Sequence, residues 1–177
     1  MYKTDKIDAK IVDLLMRDGR MPSSEISRTL NLSERTVRYR IERMIQEGVI
    51  VVSAIVNPRS LGYSVVADVW LEVESDALQE VARRMTKFEC ISYVAYAIGE
   101  TDVSVQVVAH SNEEVYRFVT EVIGKIPGVR KTTTSIVPEV LKDVYQWSIP
   151  DSACASGDSE EKSDRTGNLA SEKRKLE

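Results

Sequence analysis

The sequence predicts an α+β chain: three helices first, then strands and helices in the order βαββαβ. Three observations carry that prediction. Apolar residues recur at helical spacing up to Gly48. From Tyr63 onward, β-branched runs bounded by turn residues alternate with two helical stretches. Beyond Asp151 large apolar residues nearly vanish.

In the first segment, Ile7, Ile11, Leu14 and Leu15 fall on one helical face, and Gly19 is placed to end that helix in the C′ role. Pro22-Ser23 opens a second, shorter helix, with Ser23 as candidate N-cap and Ile26 and Leu30 inward. Asn31 tolerates the left-handed conformation of a tight turn. Ser33 then caps a third helix that runs to about Glu47 and stops at Gly48. The β-branched VIVVSAIV that follows reads as a strand or small hairpin closing at Asn57-Pro58.

In the second segment, YSVVADVWLEVE from Tyr63 to Glu74 is a strand, and Asp76 to Lys87 a helix burying Leu78, Val81, Ala82 and Met85. CISYVAYAIGETDVSVQVVA is two strands around a turn at Gly99-Glu100-Thr101. Asn112 to Lys125 is a helix with Val115, Phe118, Val119 and Val122 inward, and VRKTTTSIVPEVL is a last strand. That order is ferredoxin-like, an antiparallel sheet with both helices on one face. The expected domains are therefore residues 1–60, 61–150 and a disordered, Ser-rich charged tail at 151–177.

The chain has 177 residues, 42% of them hydrophobic, which suffices for a folded core. No run of about 18 apolar residues offers a membrane span, and the charged start MYKTDKIDAK is unlike a signal peptide. Cys90 and Cys154 are too few for a disulfide framework or a zinc site, so no metal and no cofactor is expected, and a reducing cytoplasm is. The net charge of −4 hides an asymmetry: 11 Lys/Arg against 8 Asp/Glu through Ser60, then 8 against 13 from Leu61 to Pro150, then 5 against 7.

Four arginines lie within nine residues of the third helix, at 35, 38, 40 and 43. Two short helices around a tight turn, the second rich in basic and hydroxyl residues and followed by a hairpin wing, describe a winged helix-turn-helix. With Val37 at zero and about 100° per residue, Ile41, Met44 and Ile45 share its face and form the buried stripe. Arg35, Thr36 and Tyr39 are then placed for base or groove contact, and Ser33, Arg38, Arg40 and Arg43 for phosphate. A basic helix alone is as well explained by solvation and pairing with Glu34, Glu42 and Glu47; the preceding helix, the Asn31 turn and the Ser33 cap favour double-stranded DNA.

The stretches IVDLLMRDGR and ISRTLNLSERTVRYRIERMIQEGVI resemble the N-terminal domain of the Lrp/AsnC feast/famine regulators. GETD at Gly99 to Asp102 and IPGVRKTTTSIV at Ile126 to Val137 resemble that family's effector-binding domain. The resemblance spans about Lys6 to Trp147; Asn31 stands where the family usually has glycine, and the tail is an addition. It implies a sequence-specific transcriptional regulator, cytoplasmic and nucleoid-associated in a prokaryote. It also implies a homodimer, assembling in relatives to tetramers or octamers, whose activity or assembly responds to an amino acid or related small molecule. The implied effector-binding residues are Gly99, Glu100, Thr101, Asp102, Asn112, Thr132 and Thr134, with Asp102 facing an α-ammonium and turn N–H groups and threonine hydroxyls facing a carboxylate. Dimerisation agrees with the predicted sheet, whose helix-free face, with Trp70 and the Val65/Val105 rows, needs cover.

The rival from another class is a siroheme-decarboxylase-like tetrapyrrole enzyme, which shares this layout. Such chemistry calls for histidines and basic residues in the second domain. That domain is acidic and holds one histidine, His110, at a strand end, where a cap or surface role is the ordinary one. No HExxH, P-loop, GxSxG or CxxC motif occurs, so a regulator and not an enzyme is expected.

Overall fold

The computed structural model describes residues 2–155. They form two compact units connected by two passages of the chain: residues 2–53 with 146–155, and residues 54–145.

The first unit holds α1 (Lys6–Arg17), α2 (Ser23–Leu30) and α3 (Glu34–Gln46). Asp5 caps α1, its Oδ1 accepting from the backbone N–H of Ile7 and Asp8 at 2.8 and 2.9 Å, while Asp8 returns Oδ2 to the Asp5 N–H at 3.1 Å. Two of the N–H groups orphaned at a helix start are so satisfied, along with that of the cap itself. The end of α1 differs from expectation. Gly19 takes no left-handed conformation; Asp18 leaves the helix extended and its Oδ1 accepts from Arg20 N–H at 2.9 Å, so an aspartate side chain makes the turn. Pro22, not Ser23, is the N-cap residue of α2, and its carbonyl already accepts the Ile26 N–H at 3.2 Å. Asn31 does adopt the left-handed conformation, φ 53°, and the Leu32 N–H closes back on Ser27 O at 3.0 Å. Gly48, φ 69°, follows α3. Ile11, Ile26, Val37 and Met44 are fully buried where the three helices meet, each worth about 2 kcal/mol. Ile45, expected in the buried stripe, is 44% exposed: at about 80° from Val37 it lies at the margin of a narrow face.

No wing forms. Val49 and Ile50 both donate to Met44 O, at 2.8 and 3.4 Å, and pack on the core, while residues 51–57 contain no strand and Val51, Ile55 and Val56 are exposed. The run VVSAIV is strand-like in composition but carries no two-residue turn at which it could fold on itself.

The second unit is a four-stranded antiparallel sheet with order β2-β3-β1-β4, from β1 (Val65–Val73), β2 (Ile91–Tyr96), β3 (Val103–Ala109) and β4 (Val129–Val137). Two helices, α4 (Leu78–Met85) and α5 (Asn112–Arg117), complete the βαββαβ order. Ala67, Val69, Leu71 and Val73 alternate into the core with Val103, Val105 and Val107, against Val81, Met85, Val115 and Val119. Beyond α5 the chain makes a wide π-type turn over Phe118–Val122 and a 3-10 turn over Ile123–Lys125. The wider turn shifts the inward phase, so Ile123 is fully buried where Val122 was expected.

The helix-free face of the sheet is more polar than expected. Val105 is buried beneath the helices, and Val65 packs with that same core. The exposed side carries an apolar row of Val66, Val108 and Val137, then Asp68, Gln106 and Ser135, then Trp70, Ser104 and Thr133, then Glu72 with Lys131. Gln106 Nε2 donates to Asp68 Oδ1 at 3.1 Å, and Lys131 Nζ to Glu72 Oε1 at 2.8 Å.

The chain from Gln146 to Ala155 returns to the first unit. The expected tail therefore begins with structured residues: Ile149 packs on the helical core, and a 3-10 turn spans Asp151–Ala153. The rest of that tail, 156–177, lies outside the described residues.

Gly128 shows how closely β4 approaches α4. Its φ is +88°, and a Cβ there would lie 2.2 Å from that of Ala77. Gly128→Ala is expected to cost about 2–4 kcal/mol, from left-handed strain and overpacking together, read as a lower denaturant midpoint.

Candidate nucleic-acid interface and ligand-binding turn

Helix α3 carries all seven residues assigned to DNA, and the structure divides them. Ser33 is its N-cap, Oγ accepting from Thr36 N–H at 3.0 Å and lying 2.7 Å from Thr36 Oγ1. Arg35 and Tyr39 project outward, Tyr39 58% exposed, and Arg35 makes no ion pair among the described residues. Arg38 is exposed and bonded to Glu34 one turn earlier at 2.6 Å, a pair that solvent keeps weak and phosphate can displace. The Arg43 guanidinium stacks over the Tyr2 ring, 5.1 Å from its centroid.

Arg40 has a different place from the one the sequence suggested. Its Nη1 donates to Asp5 Oδ2 at 2.8 Å and to Asp8 Oδ1 at 2.7 Å. Asp8 is 1% exposed, and its other oxygen accepts from the Tyr2 hydroxyl at 2.9 Å. A cation clamped by two carboxylates is unavailable to phosphate, so Arg40 fixes α3 against the start of α1. Burial alone would raise the Asp5 carboxyl and lower the Arg40 guanidinium. The hydrogen bonds reverse both: the Asp8 N–H and Arg40 hold Asp5 below its usual range, and the two aspartates hold Arg40 above its own. The sequence marks Asp5 and Asp8 only as a capping box; nothing local says that they await a residue 32 positions on.

The turn between β2 and β3 is exposed at Gly99 and Glu100, half-buried at Thr101 and Asp102. Gly99 has φ 143°, which glycine adopts freely. Asp102 has structural duties: Oδ2 accepts the Val73 N–H at 2.7 Å, where β1 is irregular against β4, and lies 3.9 Å from Arg130. Thr132 and Thr134 pair with Leu71 and Val69, on the helix-side face of the edge strand β4. Leu71 also pairs with Val103, so Thr132 lies two strands from the turn. Asn112 is not brought there: it opens α5 at the other end of β3. Among the described residues no group of three or more His, Cys, Asp or Glu side chains could hold a metal ion, and no helix is long and apolar enough to cross a membrane.

Residues 5–45 match the AsnC-type helix-turn-helix domain, and residues 66–147 the Lrp/AsnC ligand binding domain. The chain belongs to the Lrp/AsnC family. It is 38% identical over 146 residues to the HTH-type transcriptional regulator FL11 of Pyrococcus abyssi, covering 82% of this chain and 96% of that one. It is 33% identical over 139 residues to the HTH-type transcriptional regulator LrpA of the same organism, covering 78% and 99%. In fold it is similar to E. coli AsnC, with a TM-score of 0.74 at 23% identity over 81% of this chain and 99% of that one. It is likewise similar to the transcriptional regulator NMB0573 of Neisseria meningitidis, solved as an L-Met complex, with a TM-score of 0.73 at 24% identity over 78% and 92%. This Lrp/AsnC member is thus a transcriptional regulator with a helix-turn-helix domain and a ligand-binding domain.

Arg40→Gln is expected to cost about 3 kcal/mol, the scale of breaking a pair in which one charge is buried, measured by chemical denaturation. The Tyr2 hydroxyl gives a pH signature. Burial first, and then its bond to Asp8, push it above its ordinary 10.0 to about 12. A raised folded value means stabilisation complete below pH 10 and lost as pH climbs through about 12. Tyr2→Phe should therefore flatten the fall of the melting temperature between pH 10 and 12.

Proposed function

We propose that this regulator binds specific DNA sequences as a homodimer through α3, and that an amino acid or related small molecule modulates its activity or assembly. The observation that carries the reading is the arrangement of α3: capped by Ser33, set by the left-handed Asn31, and presenting Arg35, Thr36 and Tyr39 along its N-terminal half. Arginine there can form bidentate bonds to guanine O6 and N7. Ser33, Arg38 and Arg43 supply backbone contacts; Arg40 leaves that set because Asp5 and Asp8 hold it.

For the ligand, the Gly99-Glu100-Thr101 turn, exposed at its first two residues, offers backbone N–H groups beside the Asp102 carboxylate to a zwitterion. The L-Met seen with the Neisseria regulator supports an amino acid as its class. Thr132 and Thr134 remain candidate lining residues, and Asn112 acts at the far end of the sheet. A second copy is the cover proposed for the helix-free face, across Val66, Val108, Val137 and Trp70, with tetramers or octamers built from such dimers. The place of action is the cytoplasm, on the nucleoid.

A catalytic role finds no support in the side chains. The His110 ring stacks on Tyr63 with centroids 4.2 Å apart, and Nδ1 donates to Gly62 O at 3.0 Å, which makes it a strand-end cap. Burial raises the Cys90 thiol, keeping it protonated at neutral pH. The named relatives are regulators, not tetrapyrrole enzymes.

Selection of bound duplexes from a random library at about physiological salt tests the reading, first alone and then with amino acids present. The expected product is a palindrome with half-sites about 34–36 Å apart or a multiple of that. With it in hand, Arg35→Ala should lose about 1–3 kcal/mol of discrimination at one base position. Arg38→Ala should weaken all sequences alike and flatten the salt dependence. No enriched sequence under either condition would sink the proposal.

A further inference from the structure

The segment after Trp147 lies beyond the residues matched by the family's ligand-binding model, yet it is built into the helix-turn-helix unit. Ile149 enters the cluster of Ile11, Val12, Ile26, Val37 and Met44. Pro150 then starts the 3-10 turn, with Ala153 N–H donating to Pro150 O at 2.9 Å and Cys154 N–H to Asp151 O at 3.1 Å. The turn grips one residue of the N-terminal arm from both sides. Thr4 Oγ1 donates to Ala153 O at 3.0 Å, and Ala155 N–H donates to Thr4 O at 2.7 Å.

What the fastening holds is informative. Residues 2–5 run alongside α3 across an open cleft of about 580 Å³, where Lys3 shares the lining with Thr36, Tyr39, Arg43 and Glu47 and with the Asp5–Asp8–Arg40 cluster. Thr36 and Tyr39 are the groove-facing residues of the preceding section, and Arg43 rests on the Tyr2 ring. Lys3 is exposed and makes no ion pair among the described residues. Asp5 and Asp8, the carboxylates nearest it in sequence, are occupied by Arg40. Glu47 sits at the far, C-terminal end of α3. A lysine held on the DNA-facing side of a recognition helix is a point charge placed for the phosphate backbone.

We propose that the arm Tyr2–Asp5, pinned by the strap Ile149–Ala155, is a further DNA-backbone contact of this unit, with Lys3 binding a phosphate and Thr4 the residue through which the strap positions it. The inference rests on DNA binding through α3. Freed from the strap, the arm is still anchored at Tyr2 and Asp5 but no longer at Thr4 between them, so Lys3 keeps its charge in a looser place, and ordering it on DNA would cost part of the entropy that the strap has already removed.

The test measures affinity of the full chain for the duplex that wild type selects, as a function of salt, by fluorescence anisotropy. Lys3→Ala removes one phosphate contact from each protomer of the proposed dimer and should lower the slope of log affinity against log salt by about 1.8, so that a fourfold rise in salt costs it about twelvefold less affinity than wild type. Ala155→Pro, which deletes the N–H given to Thr4, should produce a smaller but measurable loss of slope although Lys3 is intact. Combined, the two should lose no more than Lys3→Ala alone, the non-additivity of residues acting as one unit. Helix content by circular dichroism verifies the fold; if Ala155→Pro unfolds, Thr4→Val, which removes only the hydroxyl bond, takes its place in the cycle. A wild-type slope in Lys3→Ala, or losses that add, would overturn the role of the arm. Failure of wild type to select any duplex would instead remove the DNA reading on which it stands.

Discussion

Asp8 carries a charge into the interior of the helix-turn-helix unit, and the orientation of α3 depends on how that charge is answered. A buried carboxylate without partners is costly enough to change its own protonation or unfold its surroundings. Here it has three partners from three places: the Asp5 backbone, the Tyr2 hydroxyl and the Arg40 guanidinium. The first begins α1, the second ties down the arm, and the third fixes α3. Apolar packing of Ile11, Val37 and Met44 is non-directional and would tolerate some rotation of α3. The Asp8–Arg40 bond is directional and would not. The direction in which Arg35 and Tyr39 project outward depends on that distinction.

The second unit uses its polar groups differently. Its core is an alternating apolar face covered by two helices. Asp102 satisfies the backbone at the irregular end of β1, so the turn between β2 and β3 is anchored on one side and open on the other. Gly99 and Glu100 remain exposed while Asp102 is held. The helix-free face is likewise mixed, with a valine row at one end and the Glu72–Lys131 pair at the other, so a covering partner must match polar rows as well as apolar ones. Such matching favours one register over its neighbours.

Most of the architecture was legible because its signals are local. Ser33, Asn31 and Gly48 bound α3 by capping and turn chemistry that acts within four residues, and strand alternation from Val65 to Val73 needs no knowledge of a partner. The misreadings are of two kinds. Some are local substitutions of one device for another: Asp18 turning the chain where glycine was expected, Pro22 holding the N-cap position of α2 where Ser23 was expected. The others are long-range. Arg40 looks like its neighbours in sequence and differs from them only through Asp5 and Asp8. VIVVSAIV has strand composition, but pairing requires a partner that composition cannot name. Ile149 gave no sign of belonging to a core assembled from residues before 51. Family likeness grouped Asn112 with Asp102, while β3 holds them at opposite ends.

The bond between Thr4 and Ala153 spans 149 positions of the chain, and that separation has a consequence for synthesis. The three helices leave the ribosome first and can pack on one another early, since their contacts are local. The arm is fastened only after the whole sheet unit has been made and the last described residues have followed it. A polypeptide stalled or clipped before Ile149 thus owns the three helices but lacks the bonds by which residues 153 and 155 hold Thr4. The helix-turn-helix unit is finished only once residues 149–155 have followed the sheet.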